Sequence, residues 1–151
     1  MGPLDAAAHS YKNIKTGRTQ VQYGEGGYAY IYLIYGMHHC MNIVTNKINI
    51  PEAVLIRALE PVEGMDLMEL RRGIKKKQQL CNGPGKLCAA MGIDKRNYGM
   101  DLCGEQLYLE KPLTYEPVNV VASKRINIDY SGEAKDYLWR FAIENNSYVS
   151  K

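Results

Sequence analysis

Three tyrosines recur at every second residue in GYAYIYLIYGMHHCMNIVT, at Tyr28, Tyr30 and Tyr32, and a fourth, Tyr35, stands beside Gly36. A period of two places the first three on one face of a strand. Such a row either packs as an aromatic strand face under a loop or forms a platform on which a planar ligand such as a nucleobase stacks with little base preference. Tyr35 favours the second reading, because a large amphipathic ring at a turn is exposed and needs a use. A side chain there can fill the gap left when a base is drawn out of a duplex.

Further polar side chains stand near the row in sequence. Asn42 follows on the next apolar stretch, on the face opposite Met41 and Ile43. Its carboxamide can accept from one group on a base edge and donate to another, or it is simply a satisfied polar group at a strand edge. Arg57 is a charge lodged in the middle of AVLIRALEP. A buried arginine requires a partner or a task, either ordering a water or phosphate or closing a structural salt bridge. In NGPGK, Lys86 falls in the first turn of an expected helix, the end at which the macrodipole disfavours a cation. An anion held between the free N–H groups and the lysine removes that conflict; an ordinary glycine-rich helix entry is the alternative. The spacing is not that of a phosphate-binding G-x-x-x-x-G-K-[ST] loop. His9, in DAAAHS, is either a loop histidine or an aromatic wall. His38 and His39 point to opposite strand faces, so they cannot ligate one metal together.

These groups need a scaffold of strands. Alternation from Tyr28 predicts a half-buried strand, Gly36 a turn, and HHCMNIVT the returning strand, giving a β-hairpin with Tyr35 near its tip. AVLIRALEP (53–61) reads as a third strand, apolar enough to be central. VEGMDLMELRR has helical spacing at Met65, Leu67, Met68 and Leu70 and ends on basic residues that suit a helix C-terminus. CNGPGKLCAAMGI is a turn feeding a short helix from about Gly85. QLYLEK, VVASKRINI and LWRFAI supply three more short strands. Residues 1–27 are polar and without period and read as a long surface segment, and no repeats or low-complexity tracts occur.

Composition sets the outer limits. At 151 residues with 46% apolar and 23% charged residues, the chain is expected to form one domain with a real core. In RRGIKKK the basic residues Arg71, Arg72, Lys75, Lys76 and Lys77 form either a solvated helix face or an anion-binding patch. The four cysteines, Cys40, Cys81, Cys88 and Cys103, form no C-x-x-C and sit in apolar stretches, which reads as reduced, buried thiols of an intracellular protein without zinc. No apolar run approaches the length of a membrane span and no leader or myristoylation signal is visible, so a soluble, cytosolic chain without membrane contact is expected.

Taken in order and spacing, GPLDAAAHS, YIYLIYGMHHCMNIV, VLIRALEPVEGM, LCNGPGKLCAAMGI and GEAKDYLWRFAI resemble the alkyladenine (3-methyladenine) DNA glycosylases of the vertebrate and bacterial type. The resemblance runs over essentially the whole chain. It implies an α+β fold, a single mixed α/β domain over residues 1–151 with a curved, mainly antiparallel sheet and a protruding β-hairpin. It implies a monofunctional enzyme of base excision repair that flips alkylated or deaminated purines out of double-stranded DNA and hydrolyses the N-glycosidic bond, with no cofactor, metal or lyase chemistry. The chain would act as a monomer, in the cytoplasm (nucleoid) if bacterial and in the nucleus if eukaryotic. By resemblance Tyr35 is similar to the intercalating wedge, with Met37 beside it and Lys86 also on the DNA. Tyr32 and His9 look like aromatic walls, Asn42 like the amide that clashes with guanine's exocyclic amine, and Arg57 like the arginine that holds the nucleophilic water.

One departure stands out. The family carries a segment of the type E-A-Y just before the Gly-Pro matched here by Gly2-Pro3, supplying the general-base glutamate and a stacking tyrosine. Neither is in this sequence, which implies an N-terminally truncated domain that is inactive as written, with a non-catalytic damaged-DNA-binding module as the alternative. Asp5 is the nearest acid, at a position that the family does not use as base.

Overall fold

A computed structural model describes residues 1–111 and 117–149. Its centre is the expected hairpin. Strand β1 (Ala29–Ile34) pairs antiparallel with β2 (His38–Thr45), with Tyr30 opposite Asn42 and Tyr32 opposite Cys40. β3 (Glu52–Leu55) joins β2 antiparallel, giving the order β1-β2-β3. A second, two-stranded antiparallel sheet pairs β4 (Val120–Ser123) with β5 (Arg140–Ile143). Helices α1 (Met65–Arg72) and α2 (Pro84–Met91) complete an α+β domain.

Alternation along the hairpin separates two packing layers. Ala29, Ile31 and Met41 face one way, onto Leu80, Cys81, Leu87, Cys88 and Ala90 around α2. Each fully buried leucine there contributes roughly 1.5–3 kcal/mol. Tyr30 faces the other way with Val44 and Ala53, under Val21, Tyr28, Tyr32 and Tyr98. α2 begins as the sequence predicts, with Pro84 in its first turn, where the missing N–H costs nothing. Gly85 brings that helix end so near β2 that a Cβ there would lie 3.0 Å from the His38 Cβ.

Several expectations change. The third strand is four residues long and lies at the sheet edge, not its centre; the apolar character of 53–61 reflects packing of Ala53 and Ile56, not a partner on both sides. Its outer edge is met by Met1, whose N and O both bond Ala53, at 2.8 and 2.9 Å. QLYLEK forms no strand; its one backbone bond among the described residues runs from Leu109 N–H to Leu102 O, 2.9 Å. Residues 1–27 are not a loose surface segment. Gly2, Asp5, Ser10, Thr19 and Gln22 are buried, held by short 3-10 turns at Tyr11–Asn13 and Gln20–Tyr23. Cys40, Cys81 and Cys88 are buried thiols, but Cys103 is exposed.

One ion pair ties the two ends of the chain together. Arg125, just beyond β4, donates to both Asp5 oxygens at 2.7 and 2.8 Å and to Ala134 O at 3.1 Å, with its guanidinium over the Trp139 ring. Asp5 also accepts from Ala7 N–H, so its carboxylate is fully engaged.

Candidate active site

The ladder register sets the predicted side chains in rows across the sheet. Tyr32 stands opposite Cys40, and Ile56 N–H bonds Met41 O at 3.1 Å, so the same register carried one residue on sets Arg57 opposite Cys40. Arg57 is half-buried beyond the end of β3. Burial and the neighbouring Arg140 both lower its pKa, while Cys40 and Tyr32 act the other way. Cys40, itself buried, lies beside Tyr32, and burial raises the pKa of both groups. Among the described residues no Asp or Glu figures among the groups that act on Arg57.

One step along the ladder, Asn42 is fully buried opposite Tyr30. Its amide nitrogen donates to Tyr30 O at 3.0 Å, which leaves the amide oxygen buried with no protein partner. An unmatched buried acceptor costs about 1–3 kcal/mol, a cost that an incoming N–H donor removes. Tyr30 is itself fully buried, so the tyrosine row is not a platform along its length; His9 meets both Tyr30 and Tyr32 edge-on, with ring centroids 6.3 and 4.7 Å apart. His9 sits at the surface with Nδ1 2.7 Å from the Tyr30 hydroxyl and Nε2 3.4 Å from Arg18 Nη1. Burial, then Arg18, lower the His9 pKa.

The hairpin tip is the most exposed aromatic element of the sheet. Tyr35 is 81% exposed and Met37 70%. Tyr35 and Gly36 have φ of 54° and 69°, closed by a Met37 N–H to Ile34 O bond of 3.2 Å. Glycine takes that left-handed region freely, whereas a tyrosine there is strained. Lys86 is exposed in the first turn of α2 and donates to Asn82 Oδ1 at 3.0 Å. Within the basic run, Arg71 donates to Ala90 O and Arg72 to Leu80 O, so both serve the fold, while Lys75, Lys76 and Lys77 are exposed. Among the described residues no cluster fit to hold a metal ion occurs and no helix is long and apolar enough to cross a membrane. A groove lined by Pro3, Leu4, Thr45, Val54 and Trp139 contains none of the predicted site residues.

Comparison with known proteins decides the family. The model of the methylpurine-DNA glycosylase family matches residues 1–147. This chain belongs to that family. A relative from Clostridium novyi named "Putative 3-methyladenine DNA glycosylase" is 52% identical over 99% of this chain and 78% of its own length. Relatives of the same name from Alkaliphilus oremlandii and Bacillus cytotoxicus are 52% and 46% identical, over 100% and 99% of this chain and 78% of their own lengths. As a methylpurine-DNA glycosylase the chain is a base-excision-repair protein whose substrate is DNA.

Sequence reasoning missed two side chains that the fold brings against the candidate residues. Arg18 looked like one more charge in an aperiodic segment, and its contact with His9 depends on how residues 16–21 fold back. Cys40 looked like a generic buried thiol, although its place across from Tyr32 could have been counted from the hairpin register.

Proposed function

We propose that the chain carries the lesion-recognition site of a monofunctional glycosylase that flips alkylated or deaminated purines from double-stranded DNA, acting as a monomer. The observation that carries this reading is Tyr35, a strained, largely exposed ring at the tip of the hairpin that also carries Tyr32 and Asn42. Nothing in the protein's own packing calls for an aromatic there, and a flat ring is what fills a vacated base stack.

In this reading Met37 flanks the wedge and Lys86 meets a phosphate, while Tyr32 and His9 wall the flipped base. A 3-methyladenine or 7-methylguanine base is cationic, so aromatic faces attract it by roughly 1–2 kcal/mol once water is excluded. Arg57 positions the attacking water. Being permanently protonated, it cannot itself remove the water's proton.

Tyr35→Ala is expected to weaken binding to duplexes in which the base is flipped by about 1–3 kcal/mol while leaving undamaged duplex almost unaffected. A fluorescent 1,N6-ethenoadenine duplex reports flipping directly. Equal losses on damaged and undamaged DNA would remove the wedge.

Asn42 is proposed as the selective element. Asn42→Ala is expected to cost about 1 kcal/mol on adenine-type lesions through the lost hydrogen bond, and Asn42→Ser to raise binding of undamaged guanine relative to lesions. Competition binding with guanine, hypoxanthine and ethenoadenine duplexes measures both, and an unchanged order of preference in the two variants excludes Asn42 from contact with the base.

A further inference from the structure

We propose that Arg18 is a positioning residue of this site: its guanidinium fixes the His9 imidazole as the neutral, Nδ1-protonated tautomer, so that the wall it forms with Tyr32 accepts a cationic base. The inference deepens the glycosylase reading and rests on it for the identity of the base.

The hydrogen-bond pattern leaves one assignment. Arg18 Nη1 lies 3.4 Å from His9 Nε2, and a guanidinium only donates, so Nε2 must be the accepting nitrogen. The proton of a neutral imidazole then sits on Nδ1, which donates to the Tyr30 hydroxyl at 2.7 Å. A second proton on Nε2 would face the arginine and repel it.

Arg18 is itself held in place. The Tyr98 hydroxyl donates to Arg18 O at 3.1 Å and accepts from Val21 N–H at 3.1 Å, pinning the turn that carries the arginine. Tyr98 in turn packs its ring edge-on to Tyr30, with centroids 6.3 Å apart. The buried Tyr30 and the half-buried Tyr98 packed against it thus anchor the two members of the Arg18–His9 contact. The groups facing His9 are Tyr30 and Tyr32 from β1 and Arg18 from the preceding turn. Burial and Arg18 act on His9 in the same direction, towards the neutral ring.

The chemical consequence concerns charge. A protonated imidazole against Tyr32 would repel a methylated, cationic purine and would be indifferent to a neutral one. Keeping His9 neutral at mildly acidic pH preserves binding of the cationic class.

The test uses the chain with Arg18→Gln, which can still donate to Nε2 but carries no charge, and Arg18→Lys, which keeps the charge. His9 is titrated by NMR of its imidazole nitrogens, and binding is measured at pH 6 and pH 8 to duplexes bearing 2′-fluoro-stabilised 7-methylguanine or neutral ethenoadenine. The His9 midpoint is expected to rise in Arg18→Gln and to stay low in Arg18→Lys. The ratio of cationic to neutral lesion binding is expected to fall several-fold from pH 8 to pH 6 in Arg18→Gln and to hold steady in the parent. An unchanged His9 midpoint in Arg18→Gln, or a moved midpoint with no change in that ratio, overturns the inference. If the parent prefers neither lesion over undamaged DNA, the glycosylase reading fails and the role for a cationic base fails with it, even where the NMR shift shows the Arg18–His9 contact.

Discussion

Asp5→Ala is expected to lower the stability of the fold by about 3–5 kcal/mol, because it strands a nearly buried guanidinium without its counter-ion. Asp5 is fully buried and Arg125 is 13% exposed, so water cannot replace the lost partner. The variant also frees Ala7 N–H and loosens the attachment of β4 and β5 to the segment before β1. For a domain whose total stability is about 5–15 kcal/mol, a loss of that size leaves a large unfolded fraction at 37 °C. Urea unfolding followed by tyrosine and tryptophan fluorescence measures it. Asp5→Ala combined with Arg125→Met is expected to recover part of the loss, since the stranded charge is then gone. A change below 1 kcal/mol in the single variant would show that the pair is solvated and that β4 and β5 are held to the segment before β1 by something else.

Base release by these 151 residues is expected to match a no-enzyme control on 3-methyladenine and hypoxanthine duplexes, even where lesion binding is tight. A positioned general base contributes about 10²–10⁴-fold. Arg57 can orient a water, but among the described residues the groups that act on it are Arg140 and the neutral Cys40 and Tyr32, none of them a carboxylate. His9 has its accepting nitrogen occupied by Arg18, and it sits on the wall assigned to the base. Asp5, the acid nearest in sequence, is sealed by Arg125 and faces no substrate. Single-turnover release, with free base separated by chromatography, is the measurement. Release well above the control would mean that a carboxylate outside these contacts reaches the water, and substituting the acids one at a time by their amides would find it.

The hairpin was legible in the sequence because a strict period of two with a glycine-marked turn leaves almost no freedom of register, and β2 starts and ends where the pattern does. The placing of Asn42 on the face opposite Met41 and Ile43 followed from the same parity. The third strand was misplaced because an apolar run records burial, not the number of strand neighbours; Ile56 is partly buried against the α2 layer, past the last ladder pair. The first 27 residues were misread for the opposite reason. Their order comes from side-chain-to-backbone bonds at Ser10, Thr19 and Asp5, each made to a partner set by the tertiary fold or by a turn without hydrophobic period. Arg18 was hidden by that same segment. The basic run divided in a way that composition cannot show, since Arg71 and Arg72 spend their donors on carbonyls of the chain itself.

The left-handed backbone at Tyr35 has an evolutionary meaning. For a non-glycine residue this conformation costs roughly 1–2 kcal/mol, and the side chain recovers little of it through packing because most of it is in solvent. Selection for a firmer hairpin alone would favour glycine or asparagine at this position. A tyrosine at the tip therefore marks a trade in which the turn gives up stability for reach, and relaxed selection would erase this residue sooner than any in the layer beneath it.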